Sequence, residues 1–255
     1  MSPRRAAAAA GALLALVLVA LVAEVAWVAT RDYVPAESAP PVDAKIVPSG
    51  SGDSGSPLRF VVVGDSTGAG IGASRTEFTV GGRLAATIAE AAQRAVSLRN
   101  VAVTGARAGD LADQLDVALK LEPEVVVVLI GANDVTHLTP LGSIRRDLGD
   151  AVLRAREAGA AVVVGTCPDM GSATVLPHPL RELAAWRGRA VGASERSAVR
   201  AAGGNPVDLA ARTGPAFRAR PEVMLSVDRF HPSDAGYALW ADALAPATVD
   251  AATAR

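Results

Sequence analysis

From about residue 58 onwards, short apolar runs alternate along the chain with longer segments rich in Ala, Leu and Arg. An alternation of this kind is typical of βαβ units that pack around a parallel sheet. The run at residues 125–130 contains no polar position, as expected of a central strand buried on both faces. The pattern predicts five strands, at residues 59–63, 97–103, 125–130, 160–166 and 205–209.

Helical stretches lie between and after these strands, at residues 80–95, 110–121, 143–158, 180–201 and 233–244. Gly159 stands where a helix would end before the fourth strand. We therefore predict an α/β fold over residues 58–255, a three-layer α/β/α sandwich with a five-stranded parallel, flavodoxin-like sheet. In such sheets ligands bind outside the carboxyl ends of the strands.

The N-terminal 33 residues have a different pattern. Arg4 and Arg5 precede a run at residues 6–29 that is apolar except for Glu24. This is the pattern of an export signal, either a signal peptide or a membrane anchor. Cleaved signals have apolar cores of about 7–15 residues and spanning helices need about 20, so the length favours an uncleaved anchor. The preceding positive charge predicts that the remaining chain is exported, anchored to the outer side of the cytoplasmic membrane or secreted.

Residues 34–57 are rich in Pro, Ser, Gly and Asp. Such a composition is typical of flexible linkers. We predict a tether between the N-terminal segment and a folded domain that begins near Leu58.

Composition narrows the possible functions. Half of the 255 residues are hydrophobic and a fifth are charged, which indicates a globular protein. The formal net charge is −1 and the main body has no Lys/Arg-rich block, so a nucleic-acid partner is not expected. The single cysteine, Cys167, and three widely spaced histidines predict no disulfide, no metal site and no cofactor.

Polar residues follow the first and third predicted strands at the points where these strands end. The segment GDSTG at residues 64–68 places Ser66 on such a turn, although Asp, Ser and Gly are common in any turn. The segment GAND at residues 131–134 similarly places Asn133, whose amide could donate to a developing oxyanion. We interpret Asp134 as a residue that braces its loop or caps a helix.

A carboxylate and an imidazole stand three residues apart in the segment DRFHP at residues 228–232. Asp228 could orient the ring of His231 from within the same loop and leave the other ring nitrogen to accept a serine proton. Asp134 and His137 have the same spacing and form a competing pair.

These segments, together with the glycine of NVAVTG at residues 100–105, resemble the four blocks of the GDSL/SGNH hydrolase superfamily. The resemblance spans residues 58 to about 245, with Thr67 in place of the leucine of the GDSL name. It implies a serine esterase or lipase in which Ser66, His231 and Asp228 form a catalytic triad. It also implies an oxyanion hole formed by Ser66, Gly105 and Asn133. The implied substrate is a small-molecule, lipid or glycan ester.

Three alternatives remain open. The segment GDSTG also fits the nucleophile elbow of the α/β-hydrolases, but that elbow follows several strands, whereas Ser66 follows the first predicted one. The segment at residues 68–73 loosely fits a dinucleotide-binding loop, with Asp65 unfavourably placed for a pyrophosphate. An exported, non-catalytic binding domain could share the same fold. The substrate class is not determined by any residue of the loops at 135–142 and 167–180.

Overall fold

A computed structural model describes residues 2–40, 43–49 and 55–254. It contains six strands, β1 to β6: Ala44–Ile46, Leu58–Gly64, Val96–Asn100, Val125–Leu129, Ala161–Gly165 and Asn205–Val207. The helices α1 to α10 are Pro3–Ala29, Ser66–Ala69, Val80–Ala92, Leu111–Ala118, Ala132–Thr136, Leu141–Glu157, Leu180–Ala201, Leu209–Ala219, Pro221–Met224 and Asp234–Thr253.

The strands form one sheet in the order β1-β3-β2-β4-β5-β6. Strands β2 to β6 are parallel and have the order of a flavodoxin-like sheet, which confirms the predicted fold class. The prediction of five strands is corrected at one edge. There, β1 pairs antiparallel with β3, so the sheet is mixed.

Strand β1 lies within the segment predicted to be a flexible tether. Ala44 pairs with Leu98 and Ile46 pairs with Val96, so this part of the segment extends the sheet. Residues 41–42 and 50–54 of the predicted tether lie outside the described residues. The domain boundary near Leu58 stays a prediction.

Alternate residues of the central strand β4 pack into two different hydrophobic cores. Val125, Val127 and Leu129 belong to the core beneath α3 and α10. Val126 and Val128 belong to the core beneath α4 and α6. All five residues are buried, which confirms the sequence-based prediction of a strand covered on both faces.

Several element boundaries differ from prediction. The first predicted helix ends at Ala92 because Gln93 takes a left-handed conformation with φ 48°. The fifth predicted strand ends at Val207, since the Asp208 side chain accepts a hydrogen bond from the N–H of Ala211 and caps α8. Helix α10 continues to Thr253 through Pro246, well beyond the predicted end at residue 244.

Candidate active site

The turn after β2 carries Ser66 to the carboxyl edge of the sheet. Gly64 has a φ of 135°, and a Cβ atom there would lie 1.9 Å from the carbonyl oxygen of Leu129. Only glycine fits this close approach between β2 and β4. Ser66 is the first residue of α2 and is buried, with 6% of its surface exposed.

Asp65 shapes this turn from the N-cap position of α2. Its carboxylate accepts hydrogen bonds from the N–H of Thr67 at 2.9 Å and from the Thr67 hydroxyl at 2.7 Å. Burial raises the pKa of Asp65 to about 6, although the bonds from Thr67 act in the opposite direction. Asp65 therefore fixes the conformation from which the Ser66 side chain projects.

The loop before α10 brings an imidazole to Ser66. The Nε2 atom of His231 lies 2.9 Å from the Oγ atom of Ser66. The Nδ1 atom of His231 lies 2.6 Å from Oδ2 of Asp228. The structure thus joins the three residues predicted as a triad in one line of hydrogen bonds, although Ser66 and His231 are 165 residues apart in sequence.

Asp228 is held by several donors from its own loop. Its Oδ1 atom accepts from the hydroxyl of Ser226 at 2.8 Å and from the N–H groups of Phe230 and His231 at 2.9 and 3.0 Å. Burial disfavours ionisation, but hydrogen bonds from His231 and from the Phe230 backbone outweigh it and hold the pKa of Asp228 well below its usual range. An ionised Asp228 accepts the Nδ1–H of His231 and leaves Nε2 free to accept a proton.

Asn133 lies at the start of α5, directly beyond the buried strand β4. Its Nδ2 atom donates to the carbonyl of Ala106 at 3.0 Å, which fixes the direction of the amide and leaves its second N–H for another acceptor. Asn133 and Ser66 line the same cavity. They follow neighbouring strands β4 and β2, where the order of the sheet reverses and ligands commonly bind.

Gly105 is placed differently. It lies in an exposed turn with φ 86° and borders a separate groove with Val103 and Asp110, rather than the cavity that Ser66 lines. Its assignment to the oxyanion hole stays a prediction.

The competing pair of Asp134 and His137 does not meet. Asp134 is fully buried, and its Oδ2 atom accepts from the N–H of Ala108 at 3.0 Å. The exposed His137 instead places Nδ1 2.9 Å from the carbonyl oxygen of Asn133. Asp134 thereby braces the loop beside Asn133, in agreement with the sequence interpretation.

Two buried polar side chains near this site are not recognisable from motifs. Gln114 on α4 holds the end of β2, since its Oε1 atom accepts from the N–H of Gly64 at 2.7 Å and its Nε2 donates to the Gly64 carbonyl at 2.8 Å. Glu195 on α7 accepts from the N–H of Cys167 at 2.6 Å. Burial raises the pKa of Glu195 to about 8.

The cavity beside Ser66 and His231 has a largely apolar wall. Its apolar lining residues include Ala173, Gly214, Phe217, Leu225 and Trp240. Such a wall accommodates the hydrocarbon part of a ligand next to the polar atoms of the site. Cys167 is buried, and burial raises the pKa of its thiol well above the usual range, so it packs as a small side chain.

Comparison with known proteins gives a consistent family match. The model of the GDSL-like Lipase/Acylhydrolase family matches residues 62–239. The GDSL-like esterase Rv1075c of Mycobacterium tuberculosis is 42% identical over 198 residues. The aligned region covers 77% of this chain and 63% of that esterase, so the chain spans less than two thirds of this relative.

Solved structures share the fold at lower identity. The psychrotrophic esterase EstA from Pseudoalteromonas sp. has a TM-score of 0.57 at 19% identity, with coverage of 74% of this chain and 95% of that one. The acetylxylan esterase Axe2 from Geobacillus stearothermophilus has a TM-score of 0.56 at 19% identity, with coverage of 77% and 96%. At these identities the likeness extends to the fold.

Proposed function

Because the chain belongs to the GDSL-like lipase/acylhydrolase family, we propose that it is an exported serine hydrolase that cleaves carboxylic ester bonds. Ser66 is the nucleophile, His231 the general base and Asp228 the carboxylate that orients the base. The observation that carries this proposal is the line of two hydrogen bonds, 2.9 Å from Ser66 to His231 and 2.6 Å from His231 to Asp228.

In the proposed reaction, the Oγ atom of Ser66 attacks the ester carbonyl carbon while Nε2 of His231 accepts the hydroxyl proton. The tetrahedral intermediate then collapses, and the alkoxide leaves with the proton that His231 returns to it. Water activated by the same imidazole hydrolyses the acyl group on Ser66. Throughout, the carboxylate of Asp228 stabilises the positive charge that develops on the ring.

Hydrogen-bond donors must stabilise the negative charge that develops on the former carbonyl oxygen. The side-chain amide of Asn133 has a free N–H and shares the cavity with Ser66. The N–H of Ser66 is available because the first N–H groups of a helix have no partner within it. We assign both to the oxyanion hole, and family resemblance adds the N–H of Gly105. Loss of one such donor typically slows turnover by about 10² to 10³.

The substrate we propose is an ester of a short acyl group or an acetyl group, a class that includes esters linked to a lipid or a glycan. The apolar cavity wall formed by Ala173, Phe217 and Trp240 supports a hydrocarbon group beside the nucleophile. The same residues are buried in the domain core, which limits the length of chain that could enter.

The N-terminal helix supports the proposed export. Helix α1 has 27 residues, and an 18-residue window of it has a mean hydropathy of 2.6, so it is long and apolar enough to cross a membrane. None of its residues is fully buried, and only a few near its C-terminal end, such as Glu24 and Val28, are half-buried. This agrees with either an anchor or a signal peptide, and we propose the anchor on the outer side of the cytoplasmic membrane.

Hydrolysis of 4-nitrophenyl esters from acetate to decanoate tests the proposal. We expect turnover that declines with acyl length and that Ser66→Ala and His231→Ala each reduce by at least about three orders of magnitude. Ser172→Ala is the matched control, because Ser172 lines the same cavity and its hydroxyl donates to the carbonyl of Asp169 instead. Turnover that survives Ser66→Ala would contradict the proposal. Absence of Ser66-dependent turnover with every ester would favour the non-catalytic binding domain.

A further inference from the structure

We propose that the short segment formed by Tyr33 and Val34, a few residues after the end of α1, is part of the active site. This segment positions the carboxylate of Asp228. The inference rests on the proposed function, since it concerns how the triad of that function is held. It implies that the chain reaches full activity only with its N-terminal segment in place.

The first observation is a hydrogen bond between two residues that are far apart in the sequence. The backbone N–H of Val34 donates to Oδ2 of Asp228 at 3.2 Å, although the two residues are 194 positions apart. Oδ2 is also the oxygen that accepts from Nδ1 of His231. In the described part of the chain, the hydroxyl of Ser226 and the backbone N–H groups of Phe230 and His231 all donate to Oδ1. Val34 therefore supplies the second hydrogen bond to Oδ2.

The second observation is a row of aromatic rings that ends at the general base. The ring of Tyr33 meets Phe230 edge to face, with centroids 5.7 Å apart and planes at 81°. Phe230 in turn meets the imidazole of His231 at 5.2 Å and 87°. Edge-to-face pairs of this kind contribute specific geometry in addition to buried area. Tyr33 therefore packs against the ring that contacts the imidazole of His231.

The third observation explains the one charged residue in the apolar run of α1. The carboxylate of Glu24 accepts from the N–H of Leu180 at 2.9 Å, at the first turn of α7. Val28 at the end of α1, Tyr33 and Phe230 all pack against the same cluster of buried hydrophobic residues. The end of α1 is thus fixed to the domain at several points.

Only a short stretch of chain separates α1 from the residues that contact the triad. Four peptide steps separate Ala29, the last residue of α1, from Tyr33. Fully extended, they span at most about 14 Å. An anchored α1 would therefore keep Asp228 and its loop close to the membrane surface. Removal of α1 together with Tyr33 and Val34 would take away one of the two hydrogen bonds to Oδ2 of the catalytic carboxylate.

Val34→Pro in the full-length chain removes the N–H that donates to Oδ2 of Asp228. Pro35 already restricts residue 34 to extended conformations, a region that includes the fixed φ of proline. We expect kcat for 4-nitrophenyl acetate to fall about ten- to hundredfold with little change in KM, the usual effect of losing a hydrogen bond to a charged group. Val34→Ala keeps the N–H and should retain wild-type kcat.

A double-mutant cycle separates positioning from general loosening of the fold. In an Asp228→Ala background, Val34→Pro should have no further effect on kcat, because the acceptor is gone. An equal loss in both backgrounds, or wild-type kcat in Val34→Pro, would overturn the proposal. If Ser66→Ala retains activity, the proposed function fails instead, and the two failures are thereby distinguished.

Tyr33 provides a test that does not depend on a proline. Tyr33→Ala removes the ring that supports Phe230, whereas Tyr33→Phe keeps the ring and removes only the hydroxyl. We expect a loss of kcat in Tyr33→Ala at unchanged melting temperature and near wild-type kcat in Tyr33→Phe. If Val34→Pro does not fold, equal activity of wild type and Tyr33→Ala would overturn the proposal.

Discussion

The side-chain amide of Gln114 holds both backbone polar groups of Gly64. It accepts from the Gly64 N–H at 2.7 Å and donates to the Gly64 carbonyl at 2.8 Å, in a buried position. Gly64 ends β2 two residues before Ser66. The amide thus adds two hydrogen bonds to the end of β2, where the chain turns towards the nucleophile.

Gln114→Met should therefore destabilise the protein, because it leaves the buried N–H of Gly64 without its partner, whereas the Gly64 carbonyl still accepts from the N–H of Val103 at 3.0 Å. We expect the free energy of unfolding to fall by about 1 to 3 kcal/mol. Asp113→Met, at an exposed position of the same helix, is the matched control and should change it by less than about 0.5 kcal/mol. Urea unfolding measures both values, and equal stability of the two variants would show that the bonds to Gly64 contribute nothing.

Glu195→Gln should remove a pH dependence of stability. The folded-state pKa of Glu195 is about 8, above the ordinary value of 4.5, so the folded state holds a proton that the unfolded state has lost between these values. Stability therefore falls as pH rises through this window, by at most about 1.4 kcal/mol per pH unit. Gln resembles the protonated carboxyl and should not show this loss.

The comparison is best made between pH 6.5 and 8.5. Asp65, whose pKa is raised to about 6, changes stability in the same direction at lower pH and has mostly titrated by then. We expect the melting temperature of Glu195→Gln to exceed that of wild type increasingly over this range. Glu157→Gln, at an exposed position, should follow wild type. A constant difference between Glu195→Gln and wild type would contradict the prediction.

Asp228→Asn should mainly lower catalytic activity, whereas Asp134→Asn should mainly lower stability. Asp228→Asn disturbs the orientation and charge stabilisation of His231 and should lower kcat by about three to four orders of magnitude with a small change in melting temperature. Asp134→Asn weakens the contact with the Ala108 N–H and should mainly lower the melting temperature. His137→Ala should leave activity nearly intact. An inactive His137→Ala with an active His231→Ala would contradict the assignment.

Asn133→Ala should slow turnover by about two to three orders of magnitude without unfolding the protein. The reason is that its amide has an N–H to donate to the oxyanion, while its bond to the Ala106 carbonyl is only part-buried. Thr136→Ala, an exposed change in the same short helix, is the control. Steady-state kcat with 4-nitrophenyl acetate checks both, and full kcat in Asn133→Ala would limit Asn133 to a turn residue.

Sequence patterns predicted the parallel part of the sheet because short apolar runs such as residues 125–130 are typical of strands that are buried on both faces. They missed β1, since the three residues Ala44–Ile46 lie in a segment of linker-like composition. They ended the last helix too early at residue 244 because Pro246 reads as a stop, whereas α10 continues through it.

The site residues were predicted from sequence motifs. A motif identifies the side chains of a site, but it does not identify the residues that hold those side chains in position. Gln114 was recognisable in principle, since it is a polar residue on the same helical face as the buried Leu111, Leu115 and Ala118. Val34 carries no such signal, because it contacts Asp228 through a backbone N–H, a group that every residue except proline has.

The central claim is that Ser66 becomes covalently acylated, and the most direct measurement is the mass of the modified peptide after reaction with a fluorophosphonate. We predict a single adduct on the peptide that contains Ser66, formed at a rate that His231→Ala lowers by orders of magnitude. We predict no adduct in Ser66→Ala and normal labelling in Ser172→Ala. An adduct on another residue, or labelling of Ser66 that is independent of His231, would contradict the assignment of Ser66 as nucleophile.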